Sequence, residues 1–229
     1  MKVYVSSDWH ADWFTDGYER FDEIEAATAK LISGIEPGSV FIFAGDLTNP
    51  YTRNVHRAVA LAVAFYRELE ARSIPSLWLT GNHDIIEDGR VSHTLLALEA
   101  AGAMVADSPG VYEVGNLNVL ALPYTATQQS YDPARVVEDL AAAPFPHIDF
   151  VVGHLNIEGI ERGSESDEMA RGRDVFWPIE TVERVLPKAK KVNGHYHRSQ
   201  IFRGIHIPGD LVRLTHSEEK NRPCYLVFE

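Results

Sequence analysis

The sequence predicts an α/β fold, and three observations predict it. Strand and helix patterns alternate through residues 2–79, the order that builds parallel strands with right-handed crossovers. Residues 40–43 are apolar throughout, as expected for a sheet covered on both faces. Five of the strands end alike, in a short polar turn carrying Asp, Asn or His.

Residues 2–7 alternate and are rich in Val and Tyr, a strand that ends in Asp8-Trp9-His10. Residues 16–36 carry Phe21, Ile24, Ala27, Leu31 and Ile35 at helical spacing, stopped by Pro37-Gly38. The strand at 40–43 ends in Gly45-Asp46. A second amphipathic helix covers 54–72. A third strand, 75–79, ends in Gly81-Asn82-His83-Asp84. Residues 91–101 read as a helix and 103–106 as a short strand. Residues 110–114 and 117–122 form a hairpin around Gly115-Asn116. A helix at 133–142 and a buried strand at 148–152 lead to Gly153-His154. Residues 159–174 are dense in charge, Gly and Ser and read as a long loop. A helix at 178–186 precedes the strand at 191–193 and Gly194-His195-Tyr196-His197. Short β runs are expected at 201, 205–207, 211–214 and 225–228.

A chain of 229 residues suits one domain spanning 1–229, with no repeat or linker. The only cysteine, Cys224, rules out a disulfide framework and a thiolate metal site. A metal must then be held by His, Asp and Asn, a donor set suited to Mn, Fe, Zn or Mg. Residues 1–7 are too short and polar for a signal peptide, and the apolar run at 58–65 falls short of a membrane span. A cytoplasmic protein without membrane contact is expected. A net charge of −12 argues against broad binding to polyanions.

Singly, each strand-end turn is ordinary turn chemistry. Together they gather five of the ten histidines. Ligands of open α/β sheets collect outside the carboxyl ends of the strands, so the five turns should meet on one rim. Two divalent ions about 3.5–4 Å apart can grip a phosphoryl group there. A carboxylate such as Asp46 suits a bridge between them, and His83 suits proton donation. Asp84 could orient the His83 imidazole or serve the loop.

The order Asp-x-His, Gly-Asp, Gly-Asn-His-Asp, Gly-His, Gly-His-x-His resembles the calcineurin-like metallophosphoesterase superfamily from Asp8 to His197. The resemblance implies a four-layer α/β/β/α sandwich. It implies that Asp8, His10 and His197 hold one metal and that Asn82, His154 and His195 hold the second. It also implies that Asp46 bridges them and that His83 faces the substrate.

Smaller features resemble the SbcD-type DNA-repair nucleases. They are Trp9 within the first motif, Leu122-Pro123-Tyr124 after a hairpin strand and the acidic run at 163–168. The segment His195 to Gln200 and the stretch from Pro208 to Glu219 resemble that group as well. That likeness implies a DNA phosphodiester substrate, Mn as activating ion and an SbcC-like ATPase partner. No docking segment for such a partner is seen, and Asp210 stands where a small hydroxyl residue is usual. Tyr124, Tyr196 and Arg198 are candidate substrate contacts; Arg171 and Arg173 could also meet phosphate. Trp9 and Trp13 could stack on a base or pack beneath the site. Two other readings stand beside the nuclease. One is hydrolysis of a small phosphoester such as a cyclic nucleotide, which the net charge favours. The other is a partner-binding scaffold without catalysis.

Overall fold

The computed structural model describes residues 1–49, 55–87, 91–125, 131–142, 147–161 and 175–229. The first half runs β1 (Val3–Ser6), β2 (Phe14–Thr15), β3 (Tyr18–Glu19), α1 (Phe21–Gly34), β4 (Val40–Phe43), α2 (Val55–Ala71), β5 (Ser76–Leu79), β6 (Ile85–Glu87), β7 (Val91–His93), α3 (Leu96–Ala100) and β8 (Met104–Ala106). The second half runs β9 (Gly110–Val114), β10 (Leu117–Leu122), α4 (Pro133–Ala142), β11 (Phe150–Gly153), α5 (Ile179–Val185), β12 (Lys190–Asn193), β13 (Gln200–Phe202), β14 (Ile205–Ile207), a 3₁₀ turn (His216–Glu218) and β15 (Leu226–Phe228).

Two sheets carry these elements. The first has the order β15-β1-β4-β5-β8 and is parallel except for β15. The second has the order β13-β14-β12-β11-β10-β9, parallel in its middle with antiparallel strands at both edges.

Side chains alternate across a strand, so each sheet offers two faces. In the first sheet Val3, Val5, Val40, Ile42, Leu77 and Leu79 point inward to meet Val119, Ala121, Phe150, Val152 and Val192 of the second. Tyr4, Phe41, Phe43 and Trp78 point outward against Ile24 and Leu31 of α1, Phe65 and Leu69 of α2, and Leu98 of α3. Leu120, Leu122 and Val151 of the second sheet meet Val137 of α4 and Ile179 and Val182 of α5. The layers are therefore α/β/β/α, as expected. The branched aliphatics fill the narrow space between sheets, and the large aromatics of the first sheet fill the helix-facing side.

Three elements differ from the sequence reading. The helix expected from residue 16 begins at Phe21, because Asp16-Gly17, both with positive φ, turn a short ribbon of β2 and β3. The helix expected from residue 91 covers only Leu96–Ala100, because β7 pairs with β6. Residues 211–214 are not a strand; Leu211 and Leu214 are buried there in the helix-facing core of the first sheet. No helix of the described residues is long and apolar enough to cross a membrane.

Phe43 is fully buried with its ring against Trp9 and Trp78. Phe43→Ala is expected to lower the unfolding free energy by about 3–5 kcal/mol, measurable by urea denaturation.

Candidate metal centre

The strands that deliver the motifs pair in parallel register, Ser6 beside Phe43 and Gly153 beside Asn193. Their following turns therefore leave the sheets side by side. The turns also join: Asp8 N donates to Gly45 O at 2.9 Å, and Gly194 N to Gly153 O at 2.9 Å. Some bonds cross from sheet to sheet at the motifs themselves. His154 Nδ1 donates to Ala44 O at 2.7 Å, and His195 N donates to the Asp8 carboxylate at 3.0 Å. This close approach demands small residues. A Cβ on Gly45 would overlap the His154 ring, and one on Gly81 would overlap Asp46.

Two groups result. Asp8, His10 and His197 bring potential ligand atoms within 4.8 Å of one another, and so do Asp46, His154 and His195. All six residues are buried. Asn82 joins the second group, its Oδ1 lying 3.1 Å from His154 Nε2. Asp46 Oδ2 lies 3.2 Å from His154 Nε2 and 3.7 Å from His10 Nε2, so one carboxylate reaches both groups. His83 lies outside both groups. Its backbone N donates to Asp46 Oδ1 at 2.9 Å, and its ring stands edge-on to that of His10 at 4.9 Å.

The hydrogen bonds fix how these imidazoles present themselves. His10 Nδ1 lies 3.1 Å from Thr48 O, and His154 Nδ1 lies 2.7 Å from Ala44 O. A carbonyl only accepts, so each Nδ1 carries a proton and Nε2 is the nitrogen turned inward. His197 Nδ1 meets Glu218 Oε1 at 2.9 Å, with the same result. The inward nitrogens face other acceptors: His10 Nε2 and His197 Nε2 are 3.2 Å apart. Lone pairs at that distance need a proton or a metal ion between them. The donor set of imidazoles, carboxylates and an amide fits divalent cations.

The charges divide the imidazoles into two kinds. Burial holds His10 and His195 well below the usual imidazole range, so both are neutral, as ligands must be. Burial also opposes the charged form of His154, but Asp46 outweighs it and pushes the imidazole up to about 9. At His197 burial is likewise outweighed, by Glu218, and the value rises to about 10. Burial raises Asp8 to about 6. Burial also opposes the charged form of Asp46, yet His154 and His83 hold its carboxyl well below the usual range.

Around the candidate ligands sits a ring of supports that the sequence mostly conceals. Asp84 is buried, and its carboxylate accepts from the backbone N of Asp46 at 2.9 Å, Leu47 at 3.1 Å and Gly81 at 3.0 Å, and from Thr94 Oγ1 at 2.9 Å. Of the two roles open to it from the sequence, these bonds serve the loop: Asp84 shapes the turn that carries Asp46. Asn156 Oδ1 holds His195 Nε2 at 3.1 Å; its place two residues after His154, on an alternating path, was the available signal. Glu218 entered the sequence reading only within an acidic stretch.

Other expectations fare differently. Tyr196 is fully buried, and its hydroxyl accepts from Ile157 N at 2.7 Å, which corrects its expected substrate contact. Trp9 packs beneath the site against Phe43, Phe65 and Trp78, so it cannot stack on a base. Trp13 lies beside His10 and His197. Tyr124 is half-buried, with its backbone N bonded to Thr80 O. Arg198 is exposed and paired with Glu161. The acidic run 163–168, Arg171 and Arg173 lie outside the described residues.

A family model described as calcineurin-like phosphoesterase matches residues 1–222. Among solved structures, the phosphopantetheinyl hydrolase PptH from Mycobacterium tuberculosis has a TM-score of 0.50 at 12% identity, over 97% of this chain and 93% of that one. The protein TT1561 of Thermus thermophilus has a TM-score of 0.52 at 12% identity, over 91% of this chain and 89% of that one. At such identity the likeness shows the fold. No curated protein matches the chain.

His154 and His197 bind protons more tightly when folded than when unfolded. Their stabilisation is complete below the ordinary 6.5 and is lost as pH rises through about 9 and 10. The melting temperature of chelator-treated protein should therefore fall across that window, and added Mn should restore it. A flat profile that ignores Mn would contradict this.

Proposed function

The chain belongs to the calcineurin-like phosphoesterase family, and we propose that it hydrolyses a small phosphodiester at a centre of two divalent ions. The metal-dependent phosphoesterase class comes with the family. The residue roles and the substrate are our reading. Asp8, His10 and His197 would hold one ion, and Asn82, His154 and His195 the other. Asp46 would serve both. The observation that carries this is the Asp46 carboxylate, whose Oδ2 lies between His10 and His154. Such a pair of ions supplies Lewis-acid polarisation of a phosphoryl group and activation of water when bound.

The residues of this chain do the rest. The buried imidazoles keep their lone pairs pointed inward through carbonyl and carboxylate partners. Asp84 holds the loop of Asp46 rigid, which preserves the geometry that proximity demands. His83, anchored to Asp46 and outside both ligand groups, is the proton donor to the leaving oxygen.

A small substrate is supported by the net charge of −12, which repels a polyanion. Among the described residues, Arg198 is paired with Glu161 and Arg213 with the carbonyl of Asn221, so neither offers an uncommitted phosphate contact. A DNA phosphodiester handled in an SbcD-like manner with Mn is the second reading; Trp9 within the first motif, Leu122-Pro123-Tyr124, and the segments His195–Gln200 and Pro208–Glu219 favour it.

A substrate panel with and without Mn separates these readings. Cleavage of an aryl phosphodiester or a cyclic nucleotide is expected, with single-stranded and duplex DNA left intact and activity lost in Asp46→Asn. Degradation of DNA instead would establish the second reading, and no hydrolysis with any divalent ion would sink both. His83→Ala should keep normal metal content while turnover falls about 10²–10⁴-fold. Loss of metal from that variant would remove the role given to His83.

A further inference from the structure

We propose that Glu218 is a positioning residue that sets His197 as a metal ligand, so that the C-terminal turn tunes one ion site and not the other. The proposal rests on the reading of His197 as a ligand. Glu218 is 1% exposed, and its two carboxylate oxygens have separate tasks. Oε1 accepts from His197 Nδ1 at 2.9 Å. Oε2 accepts from Leu214 N at 2.5 Å and Thr215 N at 3.1 Å, which ties the carboxylate to its own turn. The turn is closed by a capping box between Thr215 and Glu218.

The same turn grips His197 a second time, since Asn221 Nδ2 donates to His197 O at 3.1 Å and Asn221 N donates to Glu218 O at 2.8 Å. Ring and backbone of His197 are thus both fixed by one short segment more than a dozen residues further along the chain. His10 and His154 hold their Nδ1 protons on backbone carbonyls; His197 holds its proton on a carboxylate. A carboxylate raises the basicity of the opposite nitrogen and locks its direction, and losing such a partner weakens metal binding about 10–100-fold. Behind Glu218 lies Asp210, also 1% exposed, whose backbone N donates to His197 O at 3.2 Å.

The test is calorimetric titration of chelator-treated protein with Mn. Two binding events are expected from the unaltered chain. In Glu218→Ala one event should weaken about 10–100-fold while the other is unchanged. Glu218→Gln should fall between, because its amide oxygen can accept the ring proton while its NH2 opposes Leu214 N and Thr215 N. Thr215→Ala disturbs the same turn without touching the ring; it should lower the melting temperature and leave both affinities intact. Equal weakening in Thr215→Ala and Glu218→Ala would reduce Glu218 to a structural residue and overturn the proposal, as would two unchanged events in folded Glu218→Ala. A third event that Asp210→Asn removes would also overturn it, by making His197, Asp210 and Glu218 a cation site of their own. An inactive substrate panel with both events intact would sink the proposed reaction alone. Absence of both events in the unaltered chain would sink the metal reading itself.

Discussion

The site is organised by acceptors forced to face acceptors. Two buried imidazole nitrogens point at each other across 3.2 Å, and a third points at a carboxylate and an amide oxygen at nearly the same distance. Buried groups of this kind are costly without a counter-charge. The fold does not relieve the conflict by turning a ring, because each Nδ1 is already held by a carbonyl or a carboxylate. What remains is to admit positive charge. Protons serve in the metal-free chain: Asp46 raises His154 to about 9, and Glu218 raises His197 to about 10. Divalent ions serve better, since one ion satisfies several lone pairs at once.

Holding that arrangement requires strain that the layers around it must offset. Asp8, His10, Asp46 and His195 all adopt left-handed backbone angles, with φ of 53°, 41°, 61° and 76°. Each such residue costs on the order of 1–3 kcal/mol. They are four of the seven non-glycine residues with positive φ among the described residues, and all four are ligand candidates. The conformation bends the chain sharply enough at each strand end to bring side chains from two sheets to one point. Gly45 and Gly81 let the backbones come close enough for this. The strain is carried by the aromatic layer directly beneath, where Trp9, Phe43, Phe65 and Trp78 are buried in mutual edge and tilted contact.

How much of this the sequence shows depends on whether the information is local. Short apolar runs such as 40–43 and 117–122 declare strands, and the helical spacing of Phe21, Ile24 and Leu31 declares α1, because burial is written residue by residue. The ligand turns were visible for the same reason: Asp, Asn and His immediately after an apolar run are a local pattern. The partners were not. Glu218 reaches His197 through a fold-back of the C-terminal turn, and Asp84 caps the loop of Asp46 from 38 residues away. Nothing in their neighbours marks them, since their task is defined by tertiary approach. The same limit explains Tyr196. It sits between two candidate ligand histidines, yet the chain alternates there, so the intervening ring turns back into the core.

The geometry that makes the centre also makes it depend on the contact between the sheets. Asp8 and Asp46 follow strands of the first sheet, while His154 and His195 follow strands of the second. The bonds that align the halves, His154 to Ala44 and His195 to Asp8, cross the gap. That gap is filled by Val5, Ile42, Leu79, Ala121 and Val152, side chains with little freedom to rearrange. A void there would tilt one sheet on the other and move two ligand groups apart without touching any ligand. A centre assembled from two sheets is therefore only as well aligned as the apolar layer between them, and the tight aliphatic filling of that layer belongs to the chemistry as much as to the fold.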